Sequence, residues 1–328
     1  NVYDVELRQR LRKSGGDGYA YIHSDIRGDV IQLQVEQKIG RDYLRGNAMK
    51  NKRRGIQGVF GQTIVIILLI IIILLVIMPI YVTVMYSLKT NSEYIKGVWA
   101  LPKNPQWHYY IDAFLNIKSY MLNSLLVCVL TTAGVVLFSS MTAYVFARHD
   151  FFGKNFLFAL VMALMMVPSV LTMTPQFLIV LKLGIYDTRW ALILPGIAGG
   201  QVGAIFLFRT FFSQQPSSLF ESATLDGASD LTMYFRITLP LAIPVLIIQA
   251  LGTFGLMYND FLWPTLVVKD ESIKTVMQSL KNIAEKVNGT TPGVSYAMYL
   301  VSGVPLILVS LCGLKFFVNG DFASGMKL

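Results

Sequence analysis

Glu221-Ser-Ala-Thr-Leu-Asp-Gly-Ala-Ser-Asp-Leu-Thr-Met-Tyr-Phe-Arg-Ile-Thr-Leu-Pro-Leu-Ala-Ile-Pro244 lies between two long apolar runs, and its front half is too polar to cross a bilayer. Ser218 stands three residues before Glu221, the spacing of a capping box, in which a hydroxyl and a carboxylate each take a backbone N–H left free by the first helical turn. A short helix from there is expected to stop at Gly227, because glycine adopts a left-handed backbone at no steric cost. Asp230 is then expected to cap a second helix leading into the next apolar run. The stretch predicts a helix–turn–helix elbow on one face of a membrane protein.

The rest of the chain agrees with that class. Of its 328 residues 54% are hydrophobic and only 14% charged, with a mean hydropathy of +0.55. Soluble domains carry about 25% charge. Several runs approach or exceed the ~20 apolar residues that cross a bilayer. Hydrocarbon satisfies no backbone group, so helices are expected. The fold class is therefore all-α, a polytopic membrane protein with six transmembrane helices near 61–87, 119–147, 156–180, 190–212, 240–263 and 296–318. Pro79 is expected to kink the first.

The net charge is +9, but the basic residues flank membrane spans, so they read as topology rather than nucleic-acid binding. Lys50, Lys52, Arg53 and Arg54 precede the first span, and Arg148, His149, Asp150 and Lys154 join the second and third. By the positive-inside rule both groups are cytoplasmic, and so is the elbow at about 216–240. Six spans put both termini on that side. Residues 1–60 read as a basic cytoplasmic tail, expected to dock on a neighbouring subunit or the membrane surface. Residues 61–328 read as the membrane domain, ending in a cytoplasmic tail at 319–328. The first apolar run begins after residue 60, so no cleavable signal peptide is expected.

Glu221, Ala223, Asp226, Gly227, Ala228, Phe235, Ile237, Leu239, Pro240 and Pro244 closely resemble the EAA motif of ABC importer permeases. Ser222 stands where that family usually has Ala. The resemblance covers about residues 60–328 and implies the type I ABC importer permease architecture. Leu101-Pro, with Tyr109, Tyr110, Ala113 and Phe114, resembles the carbohydrate branch, which is maltose-type and binding-protein-dependent. Asn259, Phe261 and Pro264 do so too, although Tyr258 replaces a common Trp. Gly320, Gly325 and Lys327 resemble the family's ending.

The resemblance implies a permease forming half of the translocation pathway of an ATP-driven carbohydrate importer in a bacterial plasma membrane. Its implied partners are a second, different permease, two ABC ATPase subunits and an extracellular solute-binding protein. It makes the elbow the coupling helix, with Glu221, Ala223, Asp226, Gly227 and Ala228 meeting the ATPase. A permease for a non-sugar solute is the alternative, as is an autonomous channel or membrane enzyme.

The chain has no Gly-x-x-x-x-Gly-Lys-Ser/Thr phosphate loop, so ATP and Mg are expected on the partner subunits and no cofactor on this chain. His23, His108 and His149 are scattered, which argues against a catalytic or metal cluster. His149 is expected to be a solvated loop residue. Cys128 and Cys312 are expected to be small core residues. Asn123, Gln176, Asn259 and Asp260 are candidates for the substrate pathway; their polarity suits sugar hydroxyls and equally suits hydrogen bonds between helices. Asp260, near the end of a span, suits a gate or the membrane interface. Pro168 and Pro175 suit a packing kink or a broken pathway helix. Residues 88–118 and 264–295 are expected to be outside loops, and the family likeness directs the second to the binding protein. Trp107, Tyr109 and Tyr110 suit an interfacial belt or a partner contact.

Overall fold

The computed structural model describes residues 62–318, with side chains as far as Gly313. The expectations for the 1–60 tail with its Lys50–Arg54 cluster and His23, and for Gly320, Gly325 and Lys327, fall outside the described residues. The chain divides into two units, 1–78 and 79–328.

Helix α1 is Gln62–Ser87, and it continues through Pro79. In the first unit every side chain from Ile64 to Met78 is exposed. A helix that is apolar all round suits lipid rather than water. The second unit continues with α2 (Asn91–Tyr94), α3 (His108–Arg148), α4 (Lys154–Leu164), α5 (Ser169–Lys182) and α6 (Trp190–Phe212). Then come α7 (Ser217–Leu225), α8 (Asp230–Leu241), α9 (Ile243–Tyr258), α10 (Leu262–Val267), α11 (Val276–Asn288) and α12 (Pro292–Val318). Among the described residues there is no strand. Helices α1, α3, α6 and α12 are each long and apolar enough to cross a membrane. The bent pairs α4–α5 and α8–α9 bring the total to six if each pair is one span.

Helix α3 is the axis of the second unit. It packs most extensively on α6 and also meets α9, α11 and α12. Near its start Ala113, Ile117 and Met121 join Phe254, Tyr258, Leu280 and Met298 in one core. Near its end Val135, Ala143 and Tyr144 join Phe208, Phe212, Tyr234 and Val245 in another. Small residues let α3 and α6 approach closely. A Cβ on Gly200 would lie 2.6 Å from Val135 Cγ2, and one on Gly196 would lie 2.9 Å from Thr131 Cγ2.

Four expectations about spans, loops and cysteines differ from the structure. Helix α3 starts at His108 rather than near 119, and its first turns bury Ala113 and Ile117. The expected third span is broken: α4 and α5 meet at 100°. Pro168, with ψ of 129°, leaves helical space there, and proline also disfavours the helical conformation of the residue before it. Pro175 sits within α5. The expected polar loop at 264–295 contains α10 and α11. Val276, Leu280 and Ala284 of α11 are buried at four-residue spacing, while Lys281, Glu285 and Lys286 face out. Finally, Cys128 is buried but Cys312 is exposed, so only the first is a core residue.

The 88–107 connection is built rather than loose. Thr90 and Glu93 form a capping box at α2. Lys89 is buried and donates to Gly97 O at 2.6 Å and Val98 O at 3.3 Å.

Candidate functional site

The elbow forms, with different caps from those expected. Helix α7 begins at Ser217 after Pro216, whose extended backbone ends the preceding turn, and no side chain caps it. The Ser218–Glu221 box is therefore absent, and Glu221 is left exposed. The stop is as expected. Gly227 has φ of +76°. Its N–H donates to Thr224 O at 3.0 Å, and Ala228 N–H donates to Ala223 O at 2.9 Å. This is the Schellman pattern, which satisfies two carbonyls that a helix end leaves free. Ala223 and Ala228 are half-buried, while Asp226 and Gly227 face outward.

Ser229, not Asp230, caps α8. Its hydroxyl accepts from Thr232 N–H at 3.3 Å. Asp230 is thereby released to lie 3.5 Å from His149 Nε2. Pro240 lacks an N–H and its ring crowds the carbonyl one turn back. The backbone around it widens to a π-turn at Tyr234–Thr238, in which Leu239 N–H donates to Tyr234 O. A 77° bend then separates α8 from α9, next to Pro244. The family-like Leu239-Pro240 and Pro244 thus turn the elbow into the following span.

The elbow is fixed to the end of α3. Arg148 Nη2 donates to Phe212 O at 2.6 Å and Gln215 O at 2.9 Å, and its guanidinium lies 3.8 Å from the Phe220 ring centroid. Tyr234 Oη and Ser140 Oγ share a hydrogen bond of 2.7 Å. Gln215 Nε2 donates to Thr238 O at 3.1 Å. Between these anchors lies a groove of about 560 Å³, with Tyr144, Arg148 and His149 on one wall and Phe220, Glu221 and Asp230 on the other.

Three of the four pathway candidates make hydrogen bonds to other parts of the chain. Asn123 is buried, with its amide committed: it donates to Ser272 O at 2.7 Å and Lys274 O at 3.1 Å, and accepts from Arg189 Nη2 at 3.0 Å. Beside it Ser124 Oγ accepts from Val276 N–H at 2.8 Å. The Asn123 bonds tie α3 to the 272–274 segment and to Arg189 at the head of α6. Gln176 is half-buried on α5. Asn259 donates back to Gly255 O at 2.8 Å, and Asp260 Oδ1 accepts from Trp263 N–H at 3.3 Å, starting α10. No hydrogen bond or ion pair links Asn123, Gln176 and the 259–260 pair among the described residues. Trp107 is exposed and stacks on Tyr110, whose hydroxyl meets Ser87 Oγ at 2.7 Å.

Residues 135–318 match the family model described as the binding-protein-dependent transport system inner membrane component. The match takes in the whole elbow. The chain belongs to this family. It is similar to the arabinooligosaccharides transport system permease protein AraQ of Bacillus subtilis, with 32% identity over 76% of this chain and 90% of that protein. It is also similar to the trehalose/maltose transport system permease protein MalG of Thermococcus litoralis, at 31% over 66% and 78%. Among solved structures, a bacterial ABC transporter involved in the import of the acidic polysaccharide alginate superposes with a TM-score of 0.70. That likeness covers 79% of this chain and 97% of the other at 22% identity, and it bears on fold alone. The chain is an ABC importer permease, a membrane-embedded transport component rather than an enzyme.

Three features of this permease escaped sequence reasoning. Leu225, at the turn of the elbow, is 90% exposed; an apolar residue just before Asp226-Gly227 was the available signal. His149 is no bare loop residue, for it pairs with Asp230 and stands edge-on to Tyr144. Asp187 adopts φ of +58°, and its Oδ1 accepts from the N–H groups of Lys269 at 2.7 Å and Asp270 at 2.9 Å. Those bonds, Asp270 first, hold its carboxyl below the ordinary value of 3.8. Asp187, Asn123 and Ser124 together clamp the 268–276 segment.

Proposed function

We propose that this permease forms half of the translocation pathway of an ATP-driven carbohydrate importer, and that its elbow is the contact through which ATPase subunits drive it. A second permease, two ABC ATPase subunits and an extracellular solute-binding protein complete the assembly. The elbow and both termini are cytoplasmic, in a bacterial plasma membrane. ATP and Mg belong to the ATPase partners, since this chain has no phosphate loop. The sugar assignment draws on relatives named for arabinooligosaccharides, trehalose/maltose and diacetylchitobiose. The 101–114 stretch and the Asn259–Pro264 run favour the same branch.

One observation carries the coupling role. The segment Glu221–Ala228 projects polar and apolar groups outward from a turn locked by a Schellman ending, yet it is anchored through Arg148, His149 and Tyr234 to the spans behind it. A rigid projecting elbow transmits a push; a floppy loop absorbs it. Glu221 supplies a charged contact and Leu225 an apolar one. Gly227 gives close approach: a Cβ there meets nothing within 4 Å of this chain, so a side chain would strain the left-handed turn and project onto the partner's surface.

Gly227→Asp tests this in the assembled transporter. The variant permease is expected to reach the membrane at normal levels, while uptake of the cognate sugar falls at least about ten-fold, the scale of one lost interface hot spot. Normal uptake would remove the elbow from the coupling path.

A further inference from the structure

Arg148 is the last residue of α3, and it holds three parts of the elbow region at once. Its Nη2 donates to the carbonyls of Phe212, the final residue of α6, and of Gln215, just before α7. A cation is favoured at such a helix end, where unpaired carbonyls point outward. The same guanidinium stacks on Phe220 of α7 at 3.8 Å. The next residue, His149, holds the head of α8 through Asp230. Lysine could not do the same, because only a planar guanidinium offers its edge to carbonyls while its face covers a ring.

The middle of α3 is clamped as well. Asn123 and Ser124 bind the backbone at Ser272, Lys274 and Val276. Ser124 and Arg148 stand about 36 Å apart along one unbroken helix. A displacement received at Arg148 is therefore delivered to the 268–276 segment, provided that the elbow does not slip against α3.

We propose that Arg148 is the positioning residue that passes elbow movement to α3, and through α3 to the 268–276 segment. The inference rests on the reading of the elbow as the ATPase contact. It makes Arg148 a transmission residue that touches neither the sugar nor the ATPase.

The test uses the complete transporter with one label at Glu271→Cys, in a Cys312→Ser background, and a second label on the partner permease. The label-to-label distance is measured with and without vanadate-trapped Mg-ATP. The parent is expected to show a second distance population on trapping. Arg148→Ala is expected to retain its ATPase subunits on purification, while the fraction switched by trapped ATP falls about ten-fold, the scale of one lost hydrogen bond to a charged group. A purely structural role would lower the yield of complex without changing the switched fraction of what assembles. Should the alanine variant fail to assemble, Arg148→Lys keeps the charge and decides: reduced switching is expected, and full switching overturns the proposal. Parent-like switching in Arg148→Ala also overturns it. A parent that shows no ATP-dependent distance change overturns the coupling reading itself, and this inference with it.

Discussion

Asp187 shows how single side chains organise the connections of this permease. Its left-handed backbone and its two accepted N–H bonds join the α5–α6 turn to the segment after α10. A carboxylate accepts such bonds better when ionised, so its folded pKa lies below the ordinary value of 3.8. The sign follows from linkage. A depressed carboxyl adds stability that is present above the unfolded value and is lost as pH falls through the folded one. Asp187→Asn is therefore expected to lower the melting temperature of the detergent-purified complex at pH 7, with the gap to the parent closing below about pH 4. An equal gap at both pH values would mean that the ionised carboxylate is not what holds the segment. Asn123, at the same clamp, has all its amide groups committed, which is why its polarity on the sequence pointed as readily to sugar as to packing.

At the scale of elements, the pairing of α3 with α6 sets the frame on which both the elbow and the clamp are mounted. Gly200 faces Val135, whose branched side chain is stiff about χ1 and cannot swing aside. Gly200→Val is expected to push the two helices apart and cost about 1–3 kcal/mol, the usual range for overpacking. Thermal unfolding would detect it, and an unchanged midpoint would mean that the two helices are not tightly apposed here. The spans were legible because runs such as Ile64–Ile77 leave no other reading, and the elbow because its residues form a recognisable pattern. Amphipathic pieces were not. Helix α11 buries only one stripe, so its mean polarity resembles a loop even though Val276, Leu280 and Ala284 carry the helical period. Caps slipped by one or two residues, from Ser218 to Pro216 and from Asp230 to Ser229, since neighbouring polar residues compete for one role and only packing decides. Partners roughly 150 residues distant, such as Ser272 for Asn123, leave no trace in local sequence.

At the scale of the molecule, the second unit has one long helix clamped at its middle and at its end. Its Arg148–His149 end grips a projecting elbow, and its middle, at Asn123 and Ser124, grips a segment that leads into α11. On the reading proposed above, a partner moves this permease, and the elbow is the part that it pushes. Leu225 marks the proposed contact most sharply, being a large apolar side chain 90% exposed at the turn. The most direct measurement places a photo-cross-linking amino acid at position 225 in the assembled transporter and identifies what it captures in intact membranes. If the elbow is the motor contact, irradiation joins this permease to an ATPase subunit, and Gly227→Asp weakens that product. Capture of lipid or of the extracellular binding protein, with no ATPase adduct, would contradict it.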